Sequence, residues 1–250
     1  MKQTKRFWWL LLSFVGVVLI LAGCARSIDL TYNTGMSRLS NADKIGSLSL
    51  GIAKFDDKRS WVEKNNTKSE SFVAQAGTWK FGMNYQGKEY YPIKDLIQTL
   101  FVSEFTKAGI NAKPIEQVLS KQNIKDFQKL GEQNKLDFIV GGDILTFEFV
   151  NETGTWTVTS RRAVTLNLIL VKVGGGEVRL DNIFNESDRE NEGAGVLHST
   201  NVDKLMNKIF KKVVQQVIEQ VAAKMALNVD DVTWRVVYNG KVYNFTPDAT

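Results

Sequence analysis

Cysteine, histidine and proline are scarce in this sequence: its 250 residues include one cysteine, one histidine and three prolines. A disulfide within the chain needs two cysteines, and a zinc site built from cysteines needs at least as many. A lone histidine excludes histidine-rich metal sites and leaves one candidate for a histidine general base. The chemistry of catalysis and of metal binding is therefore restricted before any motif is considered.

The one histidine, His198, lies in a polar stretch from Asn191 to Asn201 that contains Gly193 and Gly195. No serine of the chain is framed by the Gly-x-Ser-x-Gly pattern that presents the nucleophile of many hydrolases. We interpret His198 as a surface or loop-packing residue, with general-base catalysis as the alternative. We expect a protein that is not an enzyme, and we assign no catalytic residue, no metal ligand and no cofactor.

The first 23 residues have the pattern of an export signal. Lys2, Lys5 and Arg6 precede an apolar stretch, Phe7 to Leu21, that contains no acidic residue. A membrane span needs about 20 consecutive apolar residues, and this stretch ends sooner, in small residues followed by a polar chain. We therefore predict that residues 1–23 are a signal peptide and not a membrane span.

The only cysteine, Cys24, follows directly in the sequence Leu21-Ala22-Gly23-Cys24. This tetrapeptide resembles the bacterial lipobox, with leucine three residues before the cysteine and small residues between them. The resemblance implies that Cys24 carries a diacylglyceryl group and becomes the first residue of the mature chain. Two or three acyl chains give a lasting anchor, whereas one chain binds a membrane only marginally. A buried or redox-active cysteine is the alternative.

Ala25 bears on which membrane holds the protein. Lipoproteins retained in the inner membrane of Gram-negative bacteria typically have Asp at the position after the cysteine, and Ala25 stands there instead. The resemblance to lipoproteins therefore implies sorting to the cell outer membrane, with the protein facing the periplasm.

The charge of the chain gives no reason to expect nucleic acid as a partner. The formal net charge is +5, but three basic and no acidic residues lie in residues 1–23, so the mature side chains carry about +2. Nucleic-acid binders concentrate Lys and Arg in a patch or stripe. Here Lys and Glu are interspersed, which is typical of a solvated surface.

The mature chain divides into three parts. Residues 24–45 contain few large apolar residues, and we interpret them as a lipidated tether. Residues 46–228 are predicted to form a periplasmic α/β domain, with a long insertion at about 56–91. Residues 229–250 are predicted to form a C-terminal hairpin and tail.

Hydrophobic periodicity predicts the elements of the domain. From Gly46 to Phe55 the large apolar residues Leu48, Leu50 and Ile52 alternate with small residues, which indicates a buried strand. Pro92 opens a helix that Gly109 ends. The remaining predictions are a short strand at 110–114, a helix near 124–131, strands at 136–150, 155–173 and 178–184, a long helix from about 200 to 225, and a hairpin at 234–245.

Two short glycine-containing sequences predict local features of these strands. Gly141 and Gly142 interrupt a strand and suggest a bulge or a close approach of backbones. Asn239-Gly240 separates two alternating segments, the strongest local signal for a hairpin. The element order predicts an α/β (α+β) fold: a mixed β-sheet with helices packed on one face, a two-layer sandwich, plus a C-terminal β-hairpin.

Three segments resemble a known group of periplasmic domains. They are SLGIAKFDDKRS (49–60), LFVSEFTKAGINA (100–112) and KLDFIVGGDI (135–144). Their order and spacing are similar to those of YajG-type lipoproteins, the curli-secretion lipoprotein CsgG and the amino-terminal domain of TolB. The resemblance covers about Gly46 to Ala226 and favours a YajG-type lipoprotein. It implies the α/β fold and an envelope role without catalysis.

Two sets of residues are candidates for binding a partner. Asp56, Asp57 and Arg59 form a polar recognition edge, an acid and base pair or, the interpretation that we favour, a turn whose side chains cap backbone groups and pair locally. The second set is aromatic, and we expect at least part of it to point outward as a patch for a partner, with an apolar groove for a ligand as the alternative. Its members are Trp79, Phe81, Tyr85, Tyr90 and Tyr91.

Three functions remain open at this point. The first is a non-enzymatic binding or assembly factor of the cell envelope, which would have an envelope protein as its partner besides the membrane bound through Cys24. The second is an accessory lipoprotein for lipid or small-molecule transport. The third is an envelope hydrolase, which would need a paired-carboxylate cleft that adjacent aspartates on one turn do not establish. Whether copies of the chain associate is left open.

Overall fold

The computed structural model describes residues 27–29, 38–39, 42–60, 74–76, 79–90, 92–153, 157–193, 199–227, 234–238 and 241–245. The predicted signal peptide, Cys24, Ala25, Tyr91 and His198 lie outside these residues. Among the described helices, none is both long and apolar enough to cross a membrane.

In chain order the elements are β1 (Ser27–Asp29), α1 (Ala42–Ile45), β2 (Ser49–Asp57), β3 (Ala74–Ala76), β4 (Trp79–Tyr85), β5 (Lys88–Tyr90), α2 (Ile93–Lys107), β6 (Asn111–Leu119), α3 (Ile124–Gln133), β7 (Phe138–Thr153), β8 (Thr157–Lys172), β9 (Glu177–Gly193), α4 (Ser199–Ala226), β10 (Trp234–Tyr238) and β11 (Lys241–Phe245).

A mixed sheet of five strands, in the order β6-β2-β7-β8-β9, forms the centre of the domain. β2 runs parallel to both of its neighbours, and β7, β8 and β9 follow as an antiparallel meander. β10 and β11 form a separate antiparallel pair, in which Tyr238 opposes Lys241. The predicted α/β class and the hairpin across Asn239-Gly240 are therefore confirmed.

Helices α2 and α4 cover one face of this sheet. Both carry apolar side chains three or four residues apart, a spacing that keeps them on one side of a helix. Leu96, Leu100 and Phe101 of α2 are fully buried there, as are Val213 and Val217 of α4. They share one hydrophobic core with the sheet residues that point to the same face.

Helix α3 packs on the opposite face, which differs from the expected placement of the helices on one face. Few of its side chains are buried, chiefly Phe127. That ring lies over Gly141, where an added Cβ would come within 3.0 Å of it. The small residues on this side of the sheet leave room for a second, smaller core around Phe127, Ile139 and Ile169.

The predicted close approach of backbones at the glycine pair is confirmed. Gly142 has φ +146°, and a Cβ there would lie 1.9 Å from the carbonyl oxygen of Asn167 on β8. Any larger residue at 142 would therefore force β7 and β8 apart.

Strand β9 extends beyond the predicted end at residue 184, to Gly193. Its second half is polar and lacks an alternating pattern. It is held instead by antiparallel pairing with β8 and by side chains of α4. Lys208 pairs with Asp188 at 2.6 Å, and Gln216 donates to Glu186 at 2.8 Å.

A small sheet surrounds β4. β1 pairs with β4 in parallel, while β3 and β5 pair with it antiparallel. Packing also begins earlier in the chain than the tether interpretation of residues 24–45 implies, because Leu39, Ala42 and Ile45 are buried in the main core. The three residues of β1 were too few to give a periodic signal.

A buried amide closes a break between β2 and the edge strand β6. The pairing of β2 with β6 shifts register after Ala53 and Ile115, as in a β-bulge. Gln98 of α2, which is 5% exposed, donates from Nε2 to the carbonyl oxygens of Ile52 and Ile115, at 2.8 and 2.7 Å. One side chain therefore joins α2 to both strands.

Replacing Gln98 with Met should lower the free energy of unfolding by about 2–6 kcal/mol, since two buried carbonyls each lose a donor worth roughly 1–3 kcal/mol. Gln98→Glu should cost more at neutral pH, because a carboxylate would face two carbonyl oxygens, and the excess should shrink in acid. Urea unfolding at several pH values measures both effects. Equal stability of Gln98→Met and the unaltered protein would contradict the assigned role.

Glu219 of α4 gives a second prediction. Burial raises the pKa of its carboxyl above the ordinary value, so the charged form is disfavoured in the folded state. Glu219→Gln should therefore stabilise the protein at neutral pH. The gain should vanish below the ordinary pKa of the carboxyl, where folded and unfolded chains are both protonated, and grow as the pH rises through the folded pKa.

Urea unfolding across this pH range measures that gain. The exposed Glu132→Gln serves as the control and should change stability little at any pH. A pH-independent effect of Glu219→Gln would contradict the burial of the charge.

Candidate functional site

Polar side chains gather where β2 and β6 end beside β7. Asp56 and Asp57 are the last residues of β2, Ser120 follows β6, and Asp143 of β7 is the register partner of Asp56. The carboxyl ends of neighbouring parallel strands share one edge of a sheet, where α/β proteins commonly place their sites. We call this set the carboxyl-edge cluster: Asp56, Asp57, Lys58, Arg59, Ser120 and Asp143.

Asp57 and Arg59 form a buried, two-pronged ion pair. Arg59 Nε donates to Asp57 Oδ1 at 2.8 Å and Arg59 Nη2 to Oδ2 at 2.7 Å. The two side chains are only 5% and 2% exposed. They pair locally, as the turn interpretation predicts, and the proposal that they contact a partner directly is corrected, because neither reaches the surface.

Lys58, Ser120 and Asp143 form a connected network beside this pair. Lys58 Nζ lies 2.8 Å from Ser120 Oγ and 3.2 Å from Asp143 Oδ1. Ser120 donates its hydroxyl to the same carboxylate oxygen at 2.8 Å. The backbone N–H of Lys58 also donates to the carbonyl of Ile144 at 3.0 Å, so the chain leaving β2 stays attached to β7.

Asp56 is the most exposed carboxylate of the cluster. Its side chain is 29% exposed and lies 4.0 Å from Lys58 Nζ, a long ion pair. Of the three residues nominated on this turn, Asp56 alone remains a candidate for contact with a partner.

The network favours a structural role over acyl transfer. A serine next to a lysine is the arrangement of some hydrolases, in which a neutral amine takes the serine proton. Lys58 is ion-paired with Asp143, and an ion-paired ammonium has no lone pair for that step. In the described part of the chain, no group of three or more His, Cys, Asp or Glu residues is arranged to hold a metal. The cluster ties the ends of β2 and β6 to β7.

Lys58, Ser120 and Asp143 were not nominated from the sequence. The one local signal was the position of Asp143 directly after the glycine pair. Its alignment with Asp56 depends on the parallel register of β2 and β7, which no local pattern encodes.

The aromatic candidates do not form the expected outward patch where the structure describes them. Tyr85 is 2% and Tyr90 8% exposed, and both belong to the main core. Burial raises the pKa of the Tyr85 hydroxyl, which accepts a hydrogen bond from Gln86 Nε2 at 3.2 Å. Strand alternation at β4 and β5 turns these rings toward α2. The side chains of Trp79 and Phe81, and all of Tyr91, lie outside the described residues.

No family model matches the chain, and no protein with a curated description matches it either. Solved structures are similar in fold. A Xanthomonas campestris protein of family DUF330 is 11% identical over 82% of this chain and 97% of its own, with a TM-score of 0.43. Lipoprotein GNA1162 of Neisseria meningitidis is 15% identical over 70% and 99%, with a TM-score of 0.24.

A minor lipoprotein of Acinetobacter baumannii is also similar, at 9% identity over 70% of this chain and 92% of its own, with a TM-score of 0.28. At these identities the likeness is one of fold alone.

The buried pair gives a test of the structural role. Arg59→Met should lower the free energy of unfolding by about 3–5 kcal/mol, because it leaves the buried carboxylate of Asp57 without its cation. Asp57→Leu should also lower it, because the buried guanidinium of Arg59 loses both hydrogen bonds to that carboxylate. The double variant should lose less free energy of unfolding than either single variant, since it removes both buried charges together. Urea unfolding of the three variants and the unaltered protein measures the interaction free energy between Asp57 and Arg59.

A matched exposed pair controls for charge removal in general. Lys121 and Asp181 lie 2.6 Å apart with side chains 38% and 41% exposed, and Lys121→Met should cost less than about 1 kcal/mol. Additive losses at Asp57 and Arg59 would show that the two side chains do not stabilise each other.

Proposed function

We propose that this protein is a lipoprotein anchored to the periplasmic side of the outer membrane through Cys24, where it binds other envelope proteins without catalysing a reaction. The lipobox-like sequence Leu21–Cys24 carries the proposal. It explains why the only cysteine follows an apolar stretch directly. Ala25 supports sorting to the outer membrane.

The closed network at the carboxyl edge supports a binding role over a catalytic one. Lys58 and Ser120 are both bonded to Asp143, and Arg59 is bonded to Asp57. Groups bonded to one another in this way stabilise this edge of the sheet. The exposed residues around the cluster, which we call its rim, remain to contact a partner.

Exposed apolar side chains on this rim indicate where a protein would bind. Ile183 is 56% and Ile124 39% exposed. Ile183 is paired with Asn167, which is paired in turn with Asp143, so it lies two strands from the cluster on the same face. Lys121, three residues before Ile124, bonds Asp181 on the same strand as Ile183. Exposed apolar groups with a polar border are typical of protein interfaces.

The accessory-transport alternative would need an apolar groove beneath the segment that contains β4 and β5. In the described part of that segment, Met83, Tyr85 and Tyr90 fill the space against α2 with their own side chains. This packing favours the binding role, and the experiment below separates the two.

Crosslinking and pull-down from intact cells test the proposal. The unaltered protein should carry lipid by intact mass and capture the same envelope protein reproducibly. Cys24→Ser should lose the lipid and that capture. Ala25→Asp should keep the lipid but fractionate with the inner membrane.

Surface variants identify where the captured protein binds. Ile183→Asp should reduce capture several-fold, whereas Leu227→Asp, equally apolar and 41% exposed at the end of α4, should not. Absence of lipid on Cys24 would contradict the anchor. Recovery of no protein, together with a bound lipid or glycan in native mass spectrometry, would favour ligand handling instead.

A further inference from the structure

The first strand of the structure starts very close to the proposed lipid. Only Ala25 and Arg26 separate Cys24 from Ser27, the first residue of β1. An extended chain spans at most about 3.3–3.6 Å per residue, so Ser27 lies within roughly 10 Å of the residue that carries the acyl chains. This step rests on the proposed lipidation of Cys24.

The register of the small sheet identifies what else lies at that end. β1 runs parallel to β4, with Ser27 opposite Gly82. The amino end of β4 therefore points the same way as the amino end of β1, which Cys24 precedes by three residues in the sequence. β3 runs antiparallel to β4, with Ala76 opposite Trp79, so the end of β3 lies there too.

The other end of the same sheet lies away from the lipid. The turn from β4 to β5 follows Tyr85, six residues beyond Trp79, and residues 86–89 are exposed. At about 3.3 Å per residue, the two ends of β4 are roughly 20 Å apart. This separation is larger than the headgroup layer on one side of a bilayer, about 5–8 Å from the total and hydrocarbon thicknesses. Contact of one end with the headgroups leaves the other in water.

The residue types at the near end suit a bilayer surface. Trp79 and Lys80 are the first two residues of β4. Tryptophan is enriched at membrane interfaces, and lysine is attracted to anionic headgroups. We propose that the near end of the small sheet, formed by Ser27, Ala76 and Trp79, rests on the lipid bilayer to which Cys24 is anchored. Trp79 is then a membrane contact and not a contact for a protein partner.

The single cysteine makes this orientation measurable. Once Cys24 is acylated, the chain has no free thiol, so an introduced cysteine is labelled selectively. Gln75→Cys and Ala76→Cys place an environment-sensitive fluorophore at the near end, and adjacent strand residues point to opposite faces, so the two labels sample both. Lys88→Cys, exposed at the start of β5, is the matched control at the far end.

The lipidated variants would be reconstituted in vesicles of phosphatidylethanolamine and phosphatidylglycerol, with and without spin-labelled lipid. For at least one of the labels at 75 and 76, we expect the fluorescence emission to shift to shorter wavelength on the vesicles and to be strongly quenched by the spin-labelled lipid. We expect neither effect for the label at 88. Purified vesicles contain no partner protein, so quenching by lipid reports the bilayer alone. Equal quenching at all three positions, or none at 75 and 76, would overturn the orientation.

Two controls separate this inference from the proposed function. Intact mass shows whether Cys24 carries lipid, and its absence would refute the anchor itself. Lipidated protein whose labels at 75 and 76 are quenched no more than the label at 88 would refute only the contact of the sheet with the bilayer. Circular dichroism of each variant confirms that the fold is kept.

Discussion

Gln98 makes the interaction on which the junction of β2, β6 and α2 depends. β2 lies between β6 and β7, and it shifts register against both partners near residues 52–56. A register shift in an internal strand breaks the hydrogen-bond ladder where no water can replace it. The amide of Gln98 donates to one carbonyl on β2 and one on β6 just before the break, so α2 is fixed to the sheet by directional bonds as well as by apolar packing.

The carboxyl-edge cluster follows from the same shift. Beyond it, Asp56 and Asp143 are register partners, and two carboxylates on neighbouring strands repel each other unless a cation lies nearby. Lys58 provides that cation, and Ser120 adds a hydrogen bond from the end of β6. The cation at this edge therefore compensates the repulsion between the two carboxylates that the register brings together, which favours a role in holding β2 and β6 to β7 over a role in chemistry.

Sequence patterns predicted the elements that bury one periodic face. The stripe of α4 and the alternation of β8 are encoded locally, and so is the pairing of β10 with β11, through the Asn239-Gly240 sequence between them. The polar half of β9 was missed, because α4 and β8 hold it rather than its own hydrophobicity. β1 and the network around Asp143 were missed since both depend on the register between strands far apart in the chain. Tyr85 and Tyr90 were misplaced because aromatic content alone does not show which face of a strand is covered.

The contact between α4 and β9 requires the spacing of side chains along the helix to match their spacing along the strand. From Lys208 to Gln220 the helix rises about 18 Å, and from Asp188 to Asn182 the strand advances about 20 Å, so four helical residues match two strand residues. Removing one residue from β9 would turn Phe184 out of the core and every paired side chain away from α4. Removing two from the strand and four from the helix would restore all of them. In homologous chains, a change of two residues in the length of β9 should therefore accompany a change of four residues in the length of α4.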